Sequence, residues 1–376
     1  MIFKSSAEKP TQIAIITNAR APGQESMIGY GEMMLRELPN QGYRLREMRA
    51  TSIATHLSGR NTSKTSLDVD RFLFSPARYV LRQADIVHVV DPGNAVYALL
   101  MRARKTVVTV HDLIPYMCLS GELQGFTPSR LGRFLMRTLL STLNRVDRIV
   151  TVSRQTSNDL QRIAGISPEK IRVIPNALFH LTSPGCQDQG AELRAARGLP
   201  VHSSIIMHVG RNFYKNRLTV LAAFELVAAK RSDAYLVLVG RPDAPLASAL
   251  SRSPHSGRVI VLERLSEGDL ALLYRKASVL LFPSLYEGFG YPVVEAQMCG
   301  TPVVCSDHGS LPEVAGDGAI LLAPHDARGF ADAIVSILED PLVAADLVER
   351  GRANVARFSL AAWCEAHYAL YDELIQ

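Results

Sequence analysis

The chain has 376 residues, 47% of them hydrophobic and 20% charged, which is too long for one ordinary core and suits two globular domains of common size. No run approaches the roughly 20 apolar residues of a membrane span, and the start, Met1 to Pro10, lacks the apolar segment of a signal peptide, which predicts a cytoplasmic protein. The net charge of +5 is unevenly spread: residues 1–185 carry 24 Lys and Arg against 14 Asp and Glu, and residues 186–376 carry 17 against 22. A basic first half suits an anionic membrane or a phosphorylated acceptor; no basic module with interleaved aromatics is present, so nucleic acid is not expected as a partner.

Short apolar runs alternate with helical patterns along the chain, as they do when crossover helices connect a parallel sheet. In the first half, strands are expected at 12–17, 86–90, 106–110, 148–152 and 172–174. Gln24 to Gly31 leads into a helical run ending at Leu38. A basic amphipathic helix opens at Thr127-Pro128-Ser129-Arg130, with Pro in its first turn. At 100° per residue Arg130, Arg133 and Arg137 are assigned to one side, and Leu131, Phe134, Leu135 and Leu139 to the other. The stretch 180–199 is polar and rich in Gly, Pro, Ser and Gln, and its part 186–199 reads as a linker between domains 1–185 and 200–357. The second half repeats the plan, with strands expected at 204–209, 234–239, 259–262, 279–282, 303–305 and 319–322. The fold class is α/β, with two Rossmann-like domains.

Three segments carry chemistry. After strand 279–282 comes Pro-Ser-Leu-Tyr-Glu287-Gly288-Phe289-Gly290-Tyr-Pro-Val-Val-Glu295-Ala. Pro292 suits a first helical turn, Glu295 is expected in that same turn, and Gly300 and Pro302 supply the stop. Two carboxylates then flank a helix start whose N–H groups favour an anion, while Gly288 and Gly290 permit close backbone approach. Polyol-binding acids beside an anion cradle suit a nucleotide sugar; an acidic pair that merely caps a Rossmann helix is the bland alternative. Arg211 and Lys215, in Gly210-Arg-Asn-Phe-Tyr-Lys215-Asn216, follow strand 204–209 and precede a helix at 218–229, where cations would face phosphate. His111-Asp112 directly follows strand 106–110, at the strand end where open α/β sheets place ligand contacts. Surface charge and a structural histidine are the alternatives there.

The Glu287 to Glu295 stretch, with the later Gly309-Ser310-Leu311-Pro312-Glu313-Val314, resembles the Glu-x7-Glu signature of retaining glycosyltransferases of family 4. That resemblance implies the GT-B architecture, two Rossmann-like domains facing across a cleft, with residues 358–376 returning to the first. It implies that Glu287 binds hydroxyls of the donor sugar and that Glu295 holds the ribose. Arg211 and Lys215, closer together than in many members, would neutralise the donor diphosphate. His111 would reach the donor sugar near the reacting carbon, with Asp112 orienting it or the acceptor. Gly288, Phe289 and Gly290 would line the donor, Gly309 and Ser310 would offer N–H groups to the diphosphate, and Arg264-Leu265 would lie against the base. Ile28-Gly29-Tyr30 is similar to the family's Gly-Ile-Gly-Arg-Tyr loop but lacks its Arg, which leaves Gly29 a backbone contact to phosphate or acceptor.

The implied activity is retaining transfer of a sugar from a nucleoside diphosphate donor to a hydroxyl acceptor, with no cofactor and no tightly held metal. Val108 to Pro115 and the short Lys215-Asn216 motif look most like bacterial mannosyltransferases, so GDP-mannose is the first donor and UDP-glucose-type donors the alternative. The expected acceptor is a glycan or a polyprenyl-linked intermediate of surface polysaccharide, in which case Arg130, Arg133 and Arg137 would hold the first domain peripherally on the anionic inner face of the cell membrane. A nucleotide-sugar epimerase of this architecture and a non-catalytic sugar-nucleotide-binding module are the rival functions. Asp68-Val69-Asp70 has the spacing with which another glycosyltransferase fold binds Mg²⁺ or Mn²⁺, but no apolar strand leads into it, and it reads as a solvated helix start. The five cysteines are odd in number and include no Cys-x-x-Cys pair, so neither a disulfide framework nor a zinc site is expected.

Overall fold

The computed structural model describes residues 10–18, 25–38, 43–49, 80, 82–178, 200, 202–263 and 265–376, which leaves Asp68, Asp70, Arg264 and the expected linker 186–199 outside the described residues. The chain divides into two compact units. The first comprises Met1–Leu119, Thr127–Pro175 and Ala361–Gln376, and the second Ser120–Phe126 and Asn176–Leu360. The break after Pro175 falls ten residues before the boundary read from composition, and Ser120–Phe126 groups with the second unit although its sequence lies within the first.

The first unit holds a parallel sheet of β1 (Thr11–Thr17), β2 (Tyr43–Arg49), β3 (Gln83–Val89), β4 (Arg102–Val110), β5 (Arg148–Thr151) and β6 (Ile171–Val173), in the order β2-β1-β3-β4-β5-β6. Its helices are α1 (Glu25–Glu37), α2 (Val96–Leu100), α3 (Ile114–Ser120), α4 (Arg130–Arg145) and α5 (Arg154–Ala164), together with the C-terminal helix Leu360–Ile375. Ile13, Ile15 and Ile16 of β1 are fully buried, as a central strand covered on both faces requires. The edge strand β2 escapes sequence reading. Its Tyr-Arg-Leu-Arg-Glu-Met-Arg buries only Tyr43 and Met48, and what holds it in the sheet is its main-chain ladder to β1, from Thr11↔Tyr43 to Thr17↔Arg49.

The C-terminal helix binds the first sheet by polar aromatics. The His88 Nδ1 lies 2.6 Å from the Tyr371 hydroxyl, Tyr43 stacks on Tyr368 with ring centres 5.9 Å apart, and Glu373 pairs with both Arg148 and Arg172. Gly31 in α1 allows the helix to approach β1, because a Cβ there would lie 2.9 Å from Thr17 Cγ2.

The second unit holds β7 (Ser204–Val209), β8 (Ala234–Val239), β9 (Val259–Leu262), β10 (Val279–Phe282), β11 (Val303–Ser306) and β12 (Ile320–Leu322), again parallel, in the order β12-β11-β10-β7-β8-β9. Helices α6 (Arg217–Lys230), α7 (Ala244–Arg252), α8 (Glu267–Lys276), α9 (Tyr291–Cys299), α10 (Leu311–Ala315), α11 (Ala327–Glu339) and α12 (Pro341–Val355) cover its faces. One face packs Phe224, Phe330 and Ile334 against the sheet, the other Leu273, Tyr274 and Val293. Counted from β7, the strand order is 3-2-1-4-5-6. The chain therefore winds away in opposite directions from β7 and β10, and a crevice opens beyond their carboxyl ends.

Candidate functional site

The loops that leave β7 and β10 meet at that crevice. After β7, Gly210 adopts a φ of +116°, and a Cβ there would come within 2.7 Å of Lys215 Cε, so only glycine lets the lysine fold back over the strand end. A single 3-10 turn, Phe213–Lys215, follows, and Asn216 at φ +53° caps α6. The Asn216 side-chain amide donates to the carbonyls of Pro283 (3.0 Å) and Pro324 (2.6 Å), which offsets its left-handed backbone and ties the turn to the next loop. Leu285 N–H donates to the Tyr214 carbonyl at 2.7 Å.

These ties bring Lys215 Nζ to 2.8 Å from Glu287 Oε1, with the side chains only 11% and 10% exposed. Lys215 Nζ also lies 4.6 Å from the centre of the Phe282 ring. In so dry a place an ion pair is held strongly, yet either partner alone would be costly. The pairing of Lys215 with Glu287 itself was not expected from sequence, where one was assigned to phosphate and the other to sugar.

The Glu287 loop is braced from behind. Gly309, at φ +62°, presses so closely that a Cβ would sit 2.8 Å from Glu287 N. The Ser310 N–H donates to the Glu287 carbonyl at 3.2 Å, and its hydroxyl lies 3.0 and 2.8 Å from the carbonyls of Glu287 and Phe289. Ser310 is therefore a brace of the acidic loop, and the amide expected to meet a diphosphate is already engaged. The Phe289 ring, 5% exposed, packs edge-on against Phe358 at 5.4 Å, so its side chain belongs to the core. Gly290, at φ +98°, opens α9 against Leu311, where a Cβ would lie 2.5 Å from Leu311 Cδ2.

Glu295 departs from the expected position. Helix α9 starts at Tyr291, which puts Pro292 second and Glu295 fifth, one turn deeper than the helix start. Its carboxylate is 5% exposed and accepts from the Tyr274 hydroxyl at 2.7 Å. Arg211 is exposed on the loop after β7, with no hydrogen bond or ion pair among the described residues. Leu265 is partly buried against the core. Sequence reading missed Arg217, whose buried guanidinium donates to the carbonyls of Gly240 (3.2 Å) and Arg241 (3.0 Å) and so fixes the loop after β8. The signal was there: Arg217 follows Lys215-Asn216 at the mouth of a helix.

In the first unit, His111 follows β4 as expected. Its Nε2 donates to the Val90 carbonyl at 2.8 Å, which fixes the tautomer and leaves Nδ1 with its lone pair. Tyr30 meets the ring edge-on, with centroids 5.0 Å apart. Burial lowers the His111 pKa, opposed by the Val90 hydrogen bond and by Asp91, so the imidazole is neutral. Asp112, expected to orient this ring or the acceptor, accepts through Oδ1 from the Ile114 N–H at 3.0 Å and starts α3. Gly29 lies inside α1 as its fifth residue, where the helix's own carbonyls take the amide. Asn18, Asp91 and Asn94, unforeseen from sequence, form a buried cluster at the ends of β1 and β3: the Asn18 amide donates to Asp91, and the Asn94 amide donates to Asn18 Oδ1 at 2.8 Å.

On α4 the expected sides are redistributed. Leu139, Leu140 and Met136 pack on the core and Leu143 is fully buried, but Leu131 and Phe134 are each 65% exposed, on the side that carries Arg130 and Arg137; Arg133 flanks it, half-buried. Phe134 stands only one turn from both Arg130 and Arg137, so helical geometry puts it on their face.

Residues 190–354 match the family model for Glycosyl transferases group 1, and residues 37–178 match the model for Glycosyltransferase Family 4. The chain thus carries glycosyltransferase domains of these two types, and with its two parallel sheets it has the GT-B fold. O-antigen chain mannosyltransferase B of Escherichia coli is 27% identical over 299 residues, spanning 76% of this chain and 75% of that protein. D-inositol 3-phosphate glycosyltransferase 2 of Catenulispora acidiphila is 30% identical over 252 residues, or 62% of this chain and 58% of that protein, so the match spans little more than half of that relative. The crystal structure of HepE from Anabaena in complex with UDP-glucose covers 96% of this chain and all of its own, with a TM-score of 0.70 at 18% identity.

Proposed function

We propose that this chain transfers a hexose, mannose from GDP-mannose in the first instance, to a hydroxyl of a lipid-linked glycan, with retention of configuration and without a tightly held metal. The observation that carries the reading is the Lys215–Glu287 pair at the crevice between β7 and β10, where the sheet reverses its winding. In that reading Glu287 orients the donor sugar, and Lys215, joined by the exposed Arg211, stabilises the charge that grows on the departing diphosphate. Glu295 takes the ribose. His111, neutral and with Nδ1 as acceptor, is assigned to the donor sugar near its reacting carbon. The mannose assignment is supported by the similarity to the mannosyltransferase of Escherichia coli.

The Arg130, Arg137, Phe134 and Leu131 face of α4 is assigned to the anionic membrane that would carry a lipid-linked acceptor, because an exposed aromatic between arginines suits a headgroup boundary. The test is a thermal-shift series with GDP, UDP and ADP, followed by transfer from the matching labelled sugar nucleotide and NMR of the product anomer. A ligand at 100 times its Kd stabilises by about 2.7 kcal/mol. GDP is expected to stabilise most and the product to keep the donor's anomeric configuration. Stabilisation by UDP alone would overturn the GDP-mannose assignment, and an inverted product would overturn retention.

A further inference from the structure

Tyr274 sits in the last part of α8 with no exposed surface, and its hydroxyl donates to Glu295 Oε2 at 2.7 Å. Its main chain is pinned as well, since the Thr301 hydroxyl and the Ala277 N–H both donate to the Tyr274 carbonyl. The phenol is thus a firmly held donor, fully buried in the same apolar cluster as Ala271, Leu273 and Val293. Burial, and then the negative charge of Glu295, push its pKa well above the ordinary tyrosine value, so it stays protonated and able to donate throughout the working pH range.

A glutamate on a helix has three side-chain torsions and loses conformational freedom when a ligand fixes it. A carboxylate also offers about four lone-pair sites, so occupation of one by a phenol leaves acceptor capacity for a ligand. We propose that Tyr274 is a positioning residue for nucleoside recognition: it sets the rotamer and plane of the Glu295 carboxylate so that the two vicinal hydroxyls of a ribose meet it already aligned. This rests on the reading of Glu295 as the ribose-binding acid, and adds to it the group that pre-organises that acid. The chemistry recognised is a cis diol, whichever base the nucleotide carries.

The experiment separates the diol from the rest of the nucleotide. Binding of GDP and UDP, and of their 2′,3′-dideoxy counterparts, is measured by calorimetry for the full chain and for Tyr274→Phe, Glu295→Gln and the double variant. Tyr274→Phe is expected to weaken the better-binding ribonucleotide about 5- to 20-fold and its dideoxy counterpart less than 2-fold. Equal loss for both forms would overturn the proposal and leave Tyr274 a packing residue. Glu295→Gln should remove the preference for the ribonucleotide; if that preference survives, the ribose reading of Glu295 fails, and the positioning role with it. Should Tyr274→Phe fold poorly because Glu295 is left buried with one partner fewer, the double variant, whose pair is neutral, is compared with Glu295→Gln alone. The two variants are expected to bind the ribonucleotide equally, and weaker binding by the double variant would show that Tyr274 does not act through Glu295.

Discussion

Beyond β7 and β10 a lysine and a glutamate meet with their side chains about one-tenth exposed, whereas in the first unit His88 of β3 forms a buried cluster of neutral imidazoles and phenols with Tyr30, His367 and Tyr371. Both units are built on parallel six-stranded sheets, ordered 2-1-3-4-5-6 in the first and 3-2-1-4-5-6 in the second, and the compensation of buried polar groups differs. In the second unit Lys215 and Glu287 balance each other, so on the proposed reading an incoming diphosphate would compete with Glu287 for Lys215. In the first unit, Tyr30, His88, His367 and Tyr371 are balanced by hydrogen bonds among themselves, with the Tyr30 hydroxyl on His367 Nε2 and the Tyr371 hydroxyl against His88 Nδ1. Such a network stays neutral, and its vulnerability is to protons and not to anions.

The contrast is broken most severely by removing the cation. Lys215→Ala leaves Glu287 buried without its partner and should cost the protein about 3–5 kcal/mol of stability. Denaturant melts check this, and nucleoside diphosphate binding to the folded fraction should fall about 100-fold, as loss of a charge-assisted contact implies. An unchanged nucleotide affinity would show that the lysine serves the fold alone. Glu287→Gln acts differently, because the amide keeps the shape and loosens the hold on Lys215. Turnover should fall about 100-fold, in the range seen when a group that acts in the transition state is removed. The nucleoside diphosphate, which lacks the sugar, should bind as well as before or a few-fold tighter. Steady-state rates and calorimetry on the same preparation decide this, and an equal loss of nucleotide affinity in both variants would sink the division of roles between Lys215 and Glu287.

The neutral side of the comparison is sharpened by pH. Burial lowers the pKa of His88 well below its usual value and that of His367 to about 4, while the unfolded chain protonates its histidines near 6.5. Below that pH the unfolded state binds more protons, so this stability is fully present above about 6.5 and is lost as pH falls toward the folded values. For His367 alone the slope reaches at most about 1.4 kcal/mol per pH unit. His367→Gln, which can still accept from Tyr30, should flatten the fall in Tm between pH 6.5 and 4.5. An unaltered slope would mean that other groups set the acid limit. His208, lowered to about 3 by burial, contributes with the same sign in the second unit, so His208→Gln should flatten the slope as well.

What could be read in advance follows from where each residue's constraint lies. Central strands such as β1, β4 and β10 are apolar runs because both faces are covered, and their ends locate His111 and Glu287 without further information. The strand β2 could not be read, since its place depends on a main-chain ladder that its Arg and Glu side chains do not advertise. Roles that depend on which partner arrives from elsewhere are the least legible. Asp112 and Ser310 are polar residues in the right loops, but Asp112 satisfies the amide of Ile114 and Ser310 the carbonyl of Glu287. Nothing in the sequence around Tyr274 marks it, because only the packing of α8 on α9 shows that its hydroxyl meets Glu295.

The smallest expected effect concerns the surface and extends the same contrast to charge that is not compensated. Arg130 and Arg137 share the exposed side of α4 with Phe134 and Leu131, each 65% exposed, and Ser129 caps the helix by accepting from the Gly132 N–H. Near an anionic surface each such arginine contributes about 1 kcal/mol, and the attraction fades with salt over a Debye length of about 10 Å at 0.1 M. Arg130→Gln with Arg137→Gln should therefore weaken sedimentation with vesicles containing anionic lipid about 10- to 30-fold in low salt. Phe134→Ser should weaken it several-fold at any salt concentration, since it removes apolar area and no charge. Nucleotide binding should be unaffected in both variants, because the groups assigned to it lie in the second unit. If the chain binds anionic and neutral vesicles equally, or the arginine pair and Phe134 lose binding with the same salt dependence, the membrane assignment of α4 falls and a water-soluble acceptor becomes the better reading.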